Sequence, residues 1–97
     1  MFTYVGLMSF TDKGLQSLKD TTKRAAAAKE AAKKAGVNMR ELLWTTGKYD
    51  LVCVLEAEDE KALAAFSLAT AMQGFVRAQS HRAYTAKEMD QILAKLP

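Results

Sequence analysis

The residues able to do chemistry in this chain are few and scattered along its 97 positions. Tyr49 and Asp50 are adjacent. A carboxylate beside a phenol can accept hydrogen bonds from a ligand or take a proton, so Asp50 is a candidate base and Tyr49 a candidate ligand contact. The same Asp can instead satisfy backbone N–H groups of a tight turn while Tyr49 packs on a sheet. His81 is the one histidine, and an imidazole titrates where general acid–base work is done. On a regular strand it shares a face with Arg77 and Gln79, with Ser80 and Arg82 opposite. Together with Tyr4 it is expected to line a cleft on an open sheet face. The plainer alternative is an ordinary edge-strand histidine. Cys53, the one cysteine, lies inside an apolar run and reads as a small packed hydrophobe. One Cys and one His cannot build a zinc site within a subunit, so no metal is expected. The five glycines are dispersed and form no phosphate loop. No Ser-His-Asp arrangement or carboxylate pair is legible.

These side chains must be held by regular elements. Phe2 to Phe10 is rich in aromatic and β-branched residues and predicts a strand. Thr11-Asp12 supplies oxygens for a helix start, and helix is expected from there to about Ala35, broken or kinked near Gly14 or Thr21-Thr22. Its apolar stripe would be Leu15, Leu18, Thr22, Ala25, Ala28 or Lys29, and Ala32. Gly36 is placed to end it in a left-handed conformation. Met39 to Thr46 and Tyr49 to Glu56 predict two strands joined by Gly47-Lys48, with glycine where a two-residue type II′ turn wants it. That turn pairs Trp44 with Leu51, Leu42 with Cys53, Leu43 with Val52 and Glu41 with Val54. Asp59 begins a second helix carrying Leu63 and Phe66 and ending near Gly74. Phe75 to Tyr84 is a polar strand suited to an edge. Thr85 to Glu88 is a capping box for a short final helix bearing Met89, Ile92, Leu93 and Leu96.

Strand, helix, hairpin, helix, strand folds most simply into a ferredoxin-like α+β domain. It is a four-stranded antiparallel sheet with strands one and three central, both long helices on one face, and an extra C-terminal helix. The length predicts a single domain over 1–97.

A sheet with one solvated face should alternate apolar and polar residues. Leu51-Val52-Cys53-Val54-Leu55 is apolar on both sides, so both faces are expected to be covered. The final helix is too short to do this alone. A second copy laid face to face is the economical cover, with Met8, Trp44 and Leu51 as the expected contacts.

Composition narrows the partners. Apolar residues are 49% and charged residues 26% of the chain, a globular balance. The net charge is +3. Lys19, Lys23, Arg24, Lys29, Lys33 and Lys34 face only Asp20 and Glu30, and no aromatic residue is interleaved with them. The segment therefore reads as a solvated helix face and not a nucleic-acid surface. A single cysteine forms no internal disulfide. No secretory leader or membrane span is recognisable, so a cytoplasmic location is expected.

Trp44-Thr45-Thr46-Gly47-Lys48-Tyr49-Asp50, followed by an apolar strand and Glu56-Ala57, resembles the signature of the small bacterial GYD-domain proteins. Phe10-Thr11-Asp12-Lys13-Gly14, the Lys23-Arg24 pair and the Thr85 to Leu96 end are similar to that family too. Where members often carry Ser-Pro before the Lys-Arg pair, this chain has Thr21-Thr22. The resemblance implies a ferredoxin-like fold related to the dimeric α/β-barrel group. It implies no particular activity and no cofactor. Related barrels include haem-degrading enzymes, which would give His81 a second role as an iron ligand. Gly47-Lys48-Tyr49-Asp50-Leu51-Val52 is also similar to the effector-binding domain of leucine-responsive-type regulators, which oligomerises and binds amino acids near subunit interfaces. Three functions are carried forward from here. The first is a self-associating domain that binds a small organic ligand through Tyr4, Tyr49, Asp50, Arg77 and His81. The others are a small barrel-type enzyme using His81 or Asp50, and a structural assembly module.

Overall fold

The computed structural model describes all residues from Met1 to Pro97. The elements are β1 (Phe2–Phe10), α1 (Asp12–Gln16), a 3-10 turn (Leu18–Asp20), α2 (Thr21–Lys34), β2 (Asn38–Trp44), β3 (Leu51–Ala57), α3 (Glu60–Gln73), β4 (Val76–Ala83) and α4 (Ala86–Leu93). The four strands form one antiparallel sheet in the order β2-β3-β1-β4, the ferredoxin-like arrangement with β1 and β3 central.

Local chemistry sets most boundaries. The Thr11 hydroxyl accepts the Gly14 N–H and caps α1. It also donates to the Gly74 carbonyl, tying the end of β1 to the end of α3. The helix then breaks, as Gly14 and Thr21-Thr22 suggest, and restarts as α2. That end closes as a Schellman motif: Gly36 N–H bonds the Lys33 carbonyl and Val37 N–H the Ala32 carbonyl, with Gly36 at φ +80. Val37 and Ala32 then join the core. Asp59 caps α3 through the Lys61 N–H, and Gly74 ends it at φ +79. Thr85 and Glu88 form the reciprocal capping box of α4.

The expected stripe of the first helical stretch holds only in part. Ala25, Ala28 and Ala32 face inward, but Leu15 and Leu18 are exposed. The break lets α1 and the 3-10 turn take a phase of their own, so these two leucines do not continue the α2 face.

The hairpin register is the expected one, Trp44 opposite Leu51, Leu42 opposite Cys53, Leu43 opposite Val52 and Glu41 opposite Val54, with an irregularity between Met39 and Glu41. Its tip is not a two-residue type II′ turn. The strands stop at Trp44 and Leu51, leaving Thr45 to Asp50 as a loop closed by Thr45 N–H to the Asp50 carbonyl and the Thr45 hydroxyl to the Tyr49 carbonyl. Gly47 has φ +156, far from the value a type II′ turn places there.

The core lies between the sheet and the two long helices. Met8, Met39, Leu51, Cys53, Leu55 and Ala57 come from the strands, with Val37 and Ala32 from the end of α2 and Leu63 from α3. Met8 and Leu51 are therefore covered by the chain's own helices, and Trp44 lies on that same face at the β2 edge. They are not the open-face contacts the sequence suggested. A strand apolar on both sides carries no signal as to which side the helices take. The open face instead carries Val5 and Leu7 of β1, Val52 and Val54 of β3, and Leu43 of β2, none of them buried. No helix is long and apolar enough to cross a membrane.

Candidate functional site

The strand register decides which candidate residues meet. Val5 stands opposite both Val54 and His81, Leu7 opposite Gln79, and Ser9 opposite Arg77. Arg77, Gln79 and His81 therefore share the open face, as strand periodicity predicts. Tyr4 stands opposite Arg82, on the helix side. The expected cleft shared by Tyr4 and His81 does not form, because one residue of register separates them and turns their side chains to opposite faces.

On the open face the Tyr49 hydroxyl donates to the Gln79 Oε1 at 3.0 Å, reaching from the hairpin loop to the β4 edge. His81 and Arg77 are exposed beside this bridge. Asp50 is used differently. Its Oδ2 accepts the Phe10 N–H at 2.9 Å, and its own N–H donates to the Met8 carbonyl at 2.8 Å. The residue lengthens the β1–β3 ladder past its last regular pair. The sequence offered a backbone-satisfying role for Asp50 within its own turn. The structure gives it that role on the neighbouring strand.

On the helix side, the Tyr4 hydroxyl donates to Glu60 Oε1 at 2.7 Å, in the first turn of α3. That hydrogen bond to Glu60, with some desolvation, raises the Tyr4 pKa above that of a free phenol. Trp44 Nε1 donates to the Thr21 hydroxyl at 3.1 Å and ties the β2 edge to the start of α2.

Between α2 and α3 the sheet is not sealed. The two helices do not pack along each other, and Ala78 and Ser80, on the helix side of β4, remain exposed. The resulting groove has a volume of about 110 Å³. Gly6, Met8, Cys53 and Ser80 form part of its floor, Ala25 and Ala28 one wall, and Phe66, Ser67 and Thr70 the other. Gly6 is needed there: a β-carbon on it would lie 2.7 Å from the Cys53 Sγ. Burial of Cys53 pushes its thiol pKa up, partly offset by a backbone hydrogen bond from Gly6, so the thiol is a weak nucleophile at neutral pH.

Arg24 closes one end. Its Nη1 donates to the Ser17 carbonyl at 2.7 Å and its Nη2 to the Gly14 carbonyl at 3.5 Å, and its guanidinium lies 4.5 Å from the Phe75 ring centroid. The sequence showed Arg24 as one of six helix cations and as half of the Lys23-Arg24 pair shared with the resembled family, with no ligand role attached to it. The signal that could have separated it is its place at i+3 from Thr21 in the series Thr21, Arg24, Ala25, Ala28, the i, i+3, i+4, i+7 spacing of the α2 face turned to the sheet. The groove itself leaves no motif, because it is a gap between two helices distant in sequence.

No curated protein and no solved structure matches the chain significantly. A family model for the GYD domain matches residues 4–93, nearly the full length, and with the hairpin loop Gly47 to Asp50 and the ferredoxin-like sheet in place the chain belongs to the GYD-domain family.

Proposed function

We propose that this chain is a self-associating domain that binds a small organic ligand, with a second copy of itself laid over the open sheet face. The accessible surface of the single chain carries this reading. It is 6938 Å², where a folded monomer of 10.7 kDa is expected to expose about 5,500 Å². The excess of about 1,400 Å² exceeds the roughly 800 Å² that each partner buries in an ordinary stable interface. The radius of gyration of 14.6 Å likewise exceeds the roughly 12.5 Å of a compact domain of this length. Unburied apolar residues on the open face, Val5, Leu7, Leu43, Val52 and Val54, supply the patch, with the Tyr49–Gln79 bridge, Arg77 and His81 as its polar side. In addition, α4 exposes Met89 and Leu93, Leu96 beyond its end is exposed too, and no other element packs along the helix. Ligand access is supported by the groove between α2 and α3, which such a dimer leaves free on the outer side.

Two lysine substitutions test the face. Val54→Lys, at the centre of the open face, is expected to elute as a folded particle of lower mass than the wild type. Leu68→Lys, at a site 67% exposed on α3, is expected to leave the mass unchanged. A wild type that already elutes as a monomer, or a Val54→Lys protein of unchanged mass, overturns the reading.

A further inference from the structure

The groove between α2 and α3 has a charge character that names its ligand more closely. Arg24 is the one charged side chain on its wall, and no carboxylate lines it. Two of the five guanidinium N–H groups are held by the Ser17 and Gly14 carbonyls, which fixes the group in place and leaves three donors free. Thr21 and Arg24, both on the first turn of α2, line the groove together. The N-cap of α2 is Asp20, which makes no side-chain cap hydrogen bond and does not line the groove, so Arg24 is the charge the groove presents to a ligand. Away from this end the lining is mostly apolar, over Met8, Cys53 and Phe66, with Ser67, Thr70 and Ser80 as uncharged polar groups. The volume of about 110 Å³ is on the scale of a cavity that admits one benzene ring.

We infer that the groove binds a small monoanionic organic acid, a single-ring or short-chain carboxylate, with its carboxylate on Arg24 and its apolar body on the Gly6–Cys53 floor. The inference rests on the ligand-binding half of the proposed function and does not depend on the dimer. A carboxylate on a held guanidinium forms charge-assisted hydrogen bonds that a neutral or cationic head cannot match.

The test titrates the full chain with hexanoate, hexanol and hexylamine by calorimetry and by amide NMR, with the solution mass recorded for each sample. Hexanoate is expected to bind about tenfold or more tightly than hexanol, the scale of one charge-assisted hydrogen bond. Its shifts are expected to map to Gly6, Arg24 and Cys53. Arg24→Gln is expected to bring hexanoate binding down to about that of hexanol, and Arg24→Lys to keep much of the preference for the acid. Should Arg24→Gln fail to fold, Ala25→Leu, which narrows the groove and retains the charge, is expected to weaken both probes. Equal binding of acid and alcohol by the wild type, shifts confined to Arg77 and His81, or no binding at all overturns the inference. A dimer that ignores hexanoate sinks this inference and leaves self-association standing. A monomer that binds hexanoate does the reverse.

Discussion

Gly6 of β1 lies directly across the ladder from Cys53 of β3, close enough that a side chain at position 6 would stand 2.7 Å from the Cys53 sulfur. This pair keeps the centre of the sheet low under the gap between α2 and α3. The groove exists because the strand beneath it carries no side chain at that point.

Gly6→Ala is therefore expected to lower stability by about 1–3 kcal/mol, the usual cost of overpacking a core. Adding Cys53→Ala is expected to recover most of the loss, since it removes the atom in the way. Urea unfolding of the two variants reads this directly. A Gly6→Ala protein as stable as the wild type would show that the sulfur moves aside freely.

Gly14 presents a harder contact. A β-carbon there would lie 2.2 Å from the Phe75 carbonyl oxygen, and backbone cannot rotate away as a thiol can. Gly14→Ala is expected to cost more than Gly6→Ala and to loosen the α1–β4 junction, where Thr11 N–H bonds the same carbonyl at 3.0 Å. Equal or smaller destabilisation would contradict this ranking.

Asp50 separates structure from catalysis through two substitutions. Asp50→Ala leaves the Phe10 N–H without its acceptor and is expected to cost about 1–3 kcal/mol. Asp50→Asn retains an oxygen acceptor and is expected to cost distinctly less. Were Asp50 a free base with no backbone role, both variants would unfold like the wild type.

Glu88 gives the final helix a pH response. The Thr85 backbone N–H, helped by the Thr85 hydroxyl and the Arg82 guanidinium, holds this carboxyl below the usual carboxylate range, with mild desolvation opposing. A carboxyl whose pKa is lowered by folding adds stability that is fully present above its unfolded value, about 4.3. That stability fades as pH falls through the lower folded value. The Thr85 amide shift is expected to titrate with a midpoint below that of a free glutamate, and α4 to fray on acidification. Glu88→Gln, which keeps an acceptor and loses the charge, is expected to remove the titration. A midpoint at or above the free value would contradict the cap.

The order of elements, both long-helix ends and the α4 cap were legible in the sequence because each rests on local chemistry, whereas the hairpin register came out as expected although the type II′ turn it was drawn from is not there. Gly36, Asp59, Gly74 and the Thr85–Glu88 box act within a few residues of themselves. The sidedness of the sheet was not legible. Leu51 to Leu55 is apolar on both faces, and only the path of α2 and α3 decides that Cys53 points into the core and Val54 away from it. The same ambiguity misplaced Tyr4 relative to His81. Arg24 stayed hidden among its neighbouring lysines because its partners, Ser17, Gly14 and Phe75, are gathered by the break after α1 and the return of β4.

Solution mass by light scattering, across a dilution series of the untagged wild-type chain, tests the second copy over the open face most directly. A mass of two or more times 10.7 kDa, held through the micromolar range, is the predicted result. A particle of 10.7 kDa at every concentration would contradict it, and would leave Val5, Leu7, Val52 and Val54 facing water.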